Sequence, residues 1–308
     1  MDLRIFTEPQ QGASYDDLLT VAQTAERVGF SSFFRSDHYL KMDGVTGLPG
    51  PTDSWVTLGA LARETTTIRL GTLVTSATFR YPGPLAISVA QVDQMSGGRV
   101  EFGFGAGWYE TEHQSYAIPF PPLGERFERF EEQLAIITGL WAADPTFSYN
   151  GKHYQVAGSP GLPKPAQAGG PPIIIGGGGA KKTPRLAATY AAEFNAGFQS
   201  VENASKLYAN VRSACEARGR DPQSIVMSSA LVACCGETPA EIERRATSIG
   251  REVEDLRKNG LCGTPAEIVE KLHQWNAIGA PRVYLQILDL ADLAHVELLA
   301  AEVLSQVR

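Results

Sequence analysis

The chain has 308 residues, of which 43% are apolar and 20% charged, a composition typical of a folded globular protein. Its formal net charge of -7 argues against nucleic acid or an anionic membrane surface as a general partner. The four cysteines lack zinc or Cys-x-x-Cys spacing, the N-terminus lacks a signal pattern, and no apolar run could span a bilayer, which together predict a cytoplasmic protein.

Strand-like and helix-like segments alternate from the first residues onward. Residues 3–7 alternate as a strand does, Ser14 is placed to cap a helix that ends at Gly29, and residues 32–35 form a second strand. Strand, helix and strand in this order indicate parallel strands joined by a crossover helix. Six further strands are predicted at 68–75, 99–105, 172–175, 193–196, 225–235 and 282–287, with helices at 54–63, 81–95, 124–141, 183–192, 204–218, 239–257, 265–278 and 290–306.

Eight strands alternating with helices are the count of a (β/α)8 barrel, and no change of composition divides the chain. We therefore predict one α/β domain over residues 1–308, with insertion segments at the C-terminal mouth of the barrel. An open doubly wound sheet is the alternative. Residues 142–171 are rich in proline and glycine, so we expect an irregular segment that covers the site.

Residues after the barrel strands are the candidates for chemistry, because active sites of this fold lie at the C-terminal ends of the strands. Glu8 follows the first strand, and Asp37 and His38 follow the second. His38 is a candidate general acid, and Glu8 a candidate acid or base. A structural histidine and an exposed loop glutamate are the alternatives. Trp108, after the fourth strand, could wall a flat ligand or belong to the core.

A run of four glycines, 176–179, follows the fifth strand and precedes a helix. Bare backbone N–H groups at a helix N-terminus suit a phosphate, with Thr183 as the N-cap and Pro184 as the first helical residue. The run fits neither the Walker motif nor Gly-x-Gly-x-x-Gly, because Lys181 stands where each needs glycine. A flexible turn is the alternative. The histidines show no metal-binding spacing, and Gly-x-Ser-x-Gly is absent.

Several motifs in a fixed order resemble one known family over nearly the whole chain. They are Ser36-Asp37-His38-Tyr39, residues 70–82 (LGTLVTSATFRYP), Ser96-Gly97-Gly98-Arg99-Val100, residues 103–108 (GFGAGW), residues 119–127 (PFPPLGERF) and residues 171–177 (PPIIIGG). The chain resembles the luciferase-like monooxygenase superfamily, in particular its branch of coenzyme F420-dependent oxidoreductases.

This resemblance implies a flavin or deazaflavin bound at the C-terminal mouth of the barrel. It also implies a non-proline cis peptide at Leu73-Val74 behind the ring, and a proton-transfer role for His38. Catalytic residues would then be His38 and Glu8. The cofactor contacts that it implies are Asp37, His38, Leu73, Val74, Ser76, Ala106, Gly107 and Trp108 around the ring, and Gly176, Gly177, Gly178 and Gly179 at the phosphate.

The function implied is hydride transfer between coenzyme F420 and a small organic substrate. An FMN-dependent monooxygenase that takes reduced flavin from a reductase is the alternative enzyme, and a non-catalytic cofactor carrier or sensor the alternative of another class. Some members carry a catalytic glutamate where Trp108 stands, so the sequence does not support a sugar-phosphate dehydrogenase; Glu112 is close but no clean match. Related proteins are often homodimers.

Overall fold

A computed structural model describes residues 1–42 and 44–307 of the chain. Its strands are short and mostly buried along their whole length, as expected where helices cover a parallel sheet. They are β1 (Asp2–Thr7), β2 (Ser32–Arg35), β3 (Arg69–Thr72), β4 (Thr75–Ser76), β5 (Val100–Gly105), β6 (Phe147–Asn150), β7 (Gln155–Ser159), β8 (Ile173–Gly176), β9 (Glu193–Asn195), β10 (Val226–Cys235), β11 (Leu261–Gly263) and β12 (Arg282–Ile287).

Helices follow most of the strands. They are α1 (Tyr15–Arg27), α2 (Ser54–Glu64), α3 (Pro82–Ser96), α4 (Glu110–Ser115), α5 (Leu123–Trp141), α6 (Lys182–Tyr190), α7 (Val201–Glu216), α8 (Pro239–Ser248), α9 (Val253–Asn259), α10 (Pro265–Ala277) and α11 (Leu293–Leu298). The chain then continues through a π-helical segment, Leu299–Leu304, into Ser305–Val307. No helix in the described ranges combines the length and apolar character needed to cross a bilayer.

The sheet closes on itself. Parallel pairing runs β10–β12–β1–β2–β3–β5–β8–β9, and β9 pairs back with β10, which completes a barrel of eight strands. The short β4 pairs with the end of β5, and β11 pairs with the end of β10. The predicted (β/α)8 barrel is therefore confirmed, and the open doubly wound sheet was the wrong alternative.

Local sequence signals explain where several helices begin. Ser14, Thr238 and Thr264 each accept a hydrogen bond from the backbone three residues on, and the acidic residue there returns one. Each such capping box satisfies two N–H groups that a helix start leaves without partners. Ser14 thus caps α1 as predicted. Thr183 does not cap α6, which begins at Lys182 and has no side-chain cap.

The third predicted strand, 68–75, is interrupted. Its ladder runs through β3 and resumes in β4, and the Leu73-Val74 peptide between them is cis, as the resemblance implied. The predicted helix at 239–257 is also divided, into α8 and α9, at a link that contains Gly250 with φ +65°. A left-handed glycine ends a helix readily.

Regular structure was also missed in segments predicted to be irregular. Residues 142–171 contain the antiparallel hairpin of β6 and β7. Glu132 of α5 accepts the backbone N–H groups of residues 152–154 at the hairpin turn, and Lys164 donates to Leu140 O at the end of α5. The hairpin is thereby held on the outer face of α5. The short α4 and β11 were missed as well.

Layers of side chains fill the barrel interior. Toward the N-terminal ends of the strands, Arg4 bonds Glu101 at 2.5 Å, and the Tyr284 hydroxyl donates to Glu193 at 2.8 Å. All are almost fully buried, so each charge needs the partner it has. An apolar cluster also fills the interior, namely Phe6, Phe34, Ile174, Ala230 and Tyr284, with Leu73 packed against them. Phe6, Leu73 and Ala230 of this cluster line the C-terminal mouth.

Candidate active site

A cavity of about 510 Å³ opens at the C-terminal ends of the barrel strands, which is within the size range of small-molecule sites. Every residue that the sequence predicted for the site lines this one cavity. They are Glu8, Asp37, His38, Leu73, Val74, Ser76, Ala106, Gly107, Trp108, Gly176, Gly177, Gly178 and Gly179. The structure therefore brings the predicted residues together, while the role of each in catalysis or binding stays a prediction.

His38 is held by a buried carboxylate. Glu112 of α4 is 1% exposed, and its two oxygens lie 2.9 and 3.1 Å from Nδ1 of His38. The same carboxylate accepts the backbone N–H of Tyr39 at 3.0 Å. Because an ionised carboxylate only accepts hydrogen bonds, Nδ1 of His38 carries the proton. Nε2 makes no hydrogen bond to any described residue, so it is the ring nitrogen available to a ligand.

Glu8 shares the cavity with His38. Burial raises the pKa of the Glu8 carboxyl, and the positive charge that His38 can carry works against this shift. Because the pKa is raised in the folded state, Glu8 destabilises the fold at pH values above that pKa, where it is ionised, relative to lower pH, where it is protonated. A carboxyl with such a pKa beside a histidine is a pair typical of proton-transfer sites.

Asp37 lies in the cavity wall, but its carboxylate already has a partner. Arg80 donates to Oδ2 of Asp37 at 2.5 Å and to Oδ1 at 3.3 Å, and it also bonds Asp53 and the Tyr39 hydroxyl. These charges raise the pKa of Arg80, which stays a cation at any physiological pH. Asp37 is therefore fixed in position by an ion pair before any ligand binds.

The glycine run forms a bare rim on one side of the cavity. Gly177 has φ +135°, a conformation that residues with side chains rarely adopt. A Cβ added to Gly178 would meet no atom within 4 Å and would project into open space, and one on Gly179 would lie 2.7 Å from Oγ1 of Thr183. The loop leads directly into α6, whose first N–H groups lack side-chain caps.

The cavity wall is apolar where the third strand is interrupted, near Gly176 at the start of the glycine loop. Leu73 and Val74 line the cavity beside the cis peptide, and close packing against β5 needs glycine. A Cβ on Gly105 would lie 2.9 Å from Val74, and one on Gly103 would lie 1.9 Å from the Thr72 carbonyl oxygen. The glycines of β5 thus let the interrupted strand approach it.

Residues 142–171 and the described residues of 39–53 do not reach the cavity. No described residue of 39–53 or 142–171 lines it, because the hairpin is attached to α5 and Arg80 bridges Asp53 to Asp37. The cover expected from 142–171 was therefore wrong. Residues 109–123 do contribute, through Glu112 and Leu123.

Other lining residues were not predicted as site residues. Glu112 lies in a helix too short to be read from the sequence, and Phe198, with φ +56° and 52% of its surface exposed, follows β9. The order of the strands could have identified Phe198, since it follows the sixth barrel strand. The remaining additions are Phe6, Gly105, Leu123, Phe127, Phe130, Thr183, Asn195, Ala196, Gly197, Gln199, Leu207 and Ala230.

A family model described as luciferase-like monooxygenase matches residues 1–253. The chain belongs to this family. Among curated relatives of this luciferase-like protein is the F420-dependent hydroxymycolic acid dehydrogenase of Mycobacterium tuberculosis, 30% identical over 281 residues that cover 81% of this chain and 72% of the relative. The oxygenase component of a flavin-dependent trigonelline monooxygenase from Acinetobacter baylyi is 24% identical, and the match covers 90% of this chain and 84% of that relative.

Other matches of the luciferase-like chain are partial or limited to the fold. An F420-dependent glucose-6-phosphate dehydrogenase of Beutenbergia cavernae is 36% identical over 155 residues, 48% of this chain, and the match spans only 45% of that relative. The structure of an F420-dependent secondary alcohol dehydrogenase superposes with a TM-score of 0.84 at 19% identity, over 100% of this chain and 99% of that one. At that identity the likeness shows the fold alone.

Proposed function

We propose that the protein is an oxidoreductase that transfers hydride between coenzyme F420 and a small organic substrate. The observation that carries the proposal is a single cavity. A bare glycine loop lines one side of it, and the His38–Glu112 pair lines the same cavity. A phosphate-bearing ring cofactor needs an anion-binding loop and a flat pocket, and the reacting substrate needs a proton donor or acceptor beside it.

The residues of the cavity fit such a cofactor. Gly176–Gly179 would hold the phosphate through backbone N–H groups, and the open space at Gly178 gives it room. Leu73 and Val74 would lie against the ring, with Ala106 and Gly107 at its edge. When bound, the deazaflavin supplies the site that accepts or donates hydride.

The lining of the cavity beside the glycine loop supports coenzyme F420 over FMN, while Lys181 and Lys182 follow the loop at the start of α6. In the described part of the chain no lysine or arginine lines the cavity. FMN ends in a phosphate monoester that carries most of two negative charges at neutral pH, whereas coenzyme F420 carries its phosphate as a singly charged diester within a longer tail. Backbone N–H groups and one helix N-terminus match the lower charge better. The F420-dependent hydroxymycolic acid dehydrogenase, which this chain resembles over most of its length, supports the same choice.

His38 and its neighbours would manage the proton. With Nδ1 bonded to Glu112, Nε2 can accept a proton from a substrate hydroxyl or return one to a carbonyl oxygen. Glu8 would take up or supply that proton at a second position in the wall. Trp108 stacks on Tyr109 and lies edge-on to His38, with ring centroids 5.7 Å apart, so it would limit water above the imidazole.

The same lining favours an uncharged substrate. The charged or titratable side chains of the cavity wall are Glu8, Asp37, His38 and Glu112, so a phosphorylated sugar would meet carboxylates there. Alcohols, aldehydes, ketones or enones with an apolar body would pack against Phe127, Phe198 and Leu207. The glucose-6-phosphate dehydrogenase activity named for some relatives is accordingly not proposed for this chain.

An FMN-dependent monooxygenase fed by a reductase is the second candidate. The trigonelline monooxygenase component, which matches 90% of this chain, favours it. A cofactor carrier or sensor is the candidate without catalysis. A homodimer remains a prediction for each of them.

Turnover separates the candidates. Purified protein is mixed with coenzyme F420 and a panel of alcohols, or with the reduced coenzyme and a panel of ketones and enones, and the visible absorbance of the deazaflavin is followed. We expect substrate-dependent change in absorbance, and about a 100-fold lower rate in His38→Ala with cofactor affinity retained. Full activity of His38→Ala would refute its role, and FMN- and oxygen-dependent product formation without any F420 reaction would favour the monooxygenase.

A further inference from the structure

A chain of three hydrogen bonds leads from the cavity wall into the protein. Ser76, which lines the cavity, has its Oγ 2.6 Å from Oγ1 of Thr78. Oγ1 of Thr78 lies 2.5 Å from Nε2 of His113. Nδ1 of His113 lies 2.7 Å from the carbonyl oxygen of Tyr109. His113 is fully buried and is not used by the proposed proton transfer at His38.

The carbonyl oxygen of Tyr109, the last acceptor, decides the direction of every hydrogen bond in this series. A carbonyl oxygen can only accept, so Nδ1 of His113 carries a hydrogen atom and donates it to Tyr109. In a neutral imidazole Nε2 is then an acceptor, and the Thr78 hydroxyl must donate to it. Thr78 has one hydroxyl hydrogen, so the Ser76 hydroxyl in turn donates to Thr78. The Ser76 oxygen can then offer the cavity only its lone pairs.

The surrounding packing maintains this arrangement. The His113 ring packs against Phe79 and Phe120, with ring centroids 5.2 and 4.4 Å away. Gly107 makes room for the two hydroxyls: it has φ +80°, and a Cβ there would lie 2.5 Å from Oγ of Ser76 and 2.9 Å from Oγ1 of Thr78.

We propose that Ser76, Thr78 and His113 form a polarised hydrogen-bond chain that presents Ser76 to the ligand as an obligate acceptor. The ligand must therefore offer an N–H or O–H group at that point of the wall. His113 and Thr78 are positioning residues, because they act on the ligand through Ser76. The identity of the ligand as a deazaflavin or flavin rests on the proposed function, whereas the direction of the hydrogen bonds from Ser76 to His113 does not.

This polarity would fix the orientation of the cofactor. Flavin and deazaflavin rings carry few N–H or O–H donors and several acceptor nitrogen and oxygen atoms at their edges. A serine free to rotate could bond either kind, so it would not distinguish one ring edge from another. A serine that can only accept is satisfied by a donor edge alone, and an acceptor atom placed there would meet lone pairs.

Nitrogen-15 NMR of the histidine rings tests the direction of the chain in the protein without added cofactor. The His113 signals are identified by their loss in His113→Gln, and the signals of exposed His273 serve as an internal reference. We expect a proton on Nδ1 of His113 and none on Nε2 at neutral pH. A proton on Nε2, in either the neutral or the charged ring, would reverse the chain and overturn the proposal.

Binding titrations with coenzyme F420 and with FMN test the consequence for the ligand. For whichever cofactor the wild-type protein binds, Ser76→Ala should lower the affinity by roughly 5- to 100-fold, because a hydrogen-bond donor of the ligand loses its partner. Thr78→Val should lower the affinity more than twofold, since the Ser76 hydroxyl is then free to rotate. Thr78→Ser, which keeps the hydroxyl, should stay within twofold of wild type.

Thr138→Val is the matched control, since among the described residues the Thr138 hydroxyl bonds carbonyl oxygens of its own helix, α5. Ser76→Ala binding within twofold of wild type, with the fold intact by circular dichroism, would overturn the proposal. Wild-type protein that binds neither cofactor would instead contradict the proposed function, and the NMR result would still decide the direction of the chain.

Discussion

At the scale of single residues, the site depends on how a few polar side chains are oriented. His38 could be nominated from the sequence because it follows a barrel strand, and the structure places it in the cavity. Glu112, which orients it, could not, because it lies in a six-residue helix within a segment that fits no motif. Contacts between residues 74 positions apart are set by the closure of the barrel and not by local pattern.

Glu112→Gln tests that orienting contact. The amide keeps the size of the side chain but offers one acceptor oxygen where Nδ1 of His38 and the N–H of Tyr39 need two. We expect turnover to fall about 10- to 100-fold, the range seen when groups that support a site are removed, while cofactor affinity changes less than threefold. Steady-state kinetics and a binding titration measure both.

Glu110→Gln is the control, because Glu110 lies on the exposed face of the same short helix. It should leave both quantities unchanged. Turnover of Glu112→Gln equal to that of wild type would show that His38 does not need this carboxylate.

At the scale of elements, most strands and helices follow from periodicity and caps, and the failures have physical causes. Proline and glycine between 142 and 171 hid a hairpin that is stabilised by contacts with α5, which are distant in sequence. The third strand reads as continuous because its residues are all compatible with a strand, yet a cis peptide interrupts it. Only the resemblance, and no local pattern, predicted that peptide.

The glycine loop can be tested without disturbing the fold. A Cβ at Gly178 meets no protein atom, so Gly178→Ala should not lower the free energy of unfolding. The added methyl group would occupy the space proposed for the phosphate, and we expect at least tenfold weaker cofactor binding. Gly83→Ala, which also meets no neighbour and lies outside the cavity, should bind normally. Unchanged affinity in Gly178→Ala would exclude this loop as the phosphate site.

A second element-scale prediction concerns the contact between α11 and β10. Burial, with a contribution from Arg245, lowers the pKa of His295 to about 4, and its Nε2 accepts the backbone N–H of Cys235 at 2.9 Å. The unfolded chain takes up this proton near pH 6.5, so the stability that His295 contributes is present above that pH. It is lost as the pH falls toward 4.

Thermal or urea unfolding between pH 7 and pH 4 measures this effect. The loss attributable to His295 should approach about 3 kcal/mol at the acid end, since each pKa unit corresponds to about 1.4 kcal/mol. His295→Gln, which can still accept the Cys235 N–H, should show a flatter dependence on pH, whereas His273→Gln, altered at an exposed site, should follow wild type. Parallel curves for His295→Gln and wild type would contradict this origin of the acid sensitivity.

At the scale of the whole molecule, the alternation of strands and helices was enough to predict the barrel, because few architectures bury that many parallel strands. The barrel rule in turn directed attention to strand ends, and this is why residues from five barrel strands meet in one cavity as predicted. The rule does not say which loops cover the mouth, since loop packing depends on long-range contacts such as those of Glu132 with the hairpin.

The central claim is that this mouth binds a deazaflavin in preference to a flavin, and a side-by-side titration of the protein with coenzyme F420 and FMN tests it most directly. We expect saturable binding of coenzyme F420 with a dissociation constant at least tenfold below that for FMN, together with loss of binding in Gly178→Ala. Tight binding of FMN with no binding of coenzyme F420 would contradict the claim.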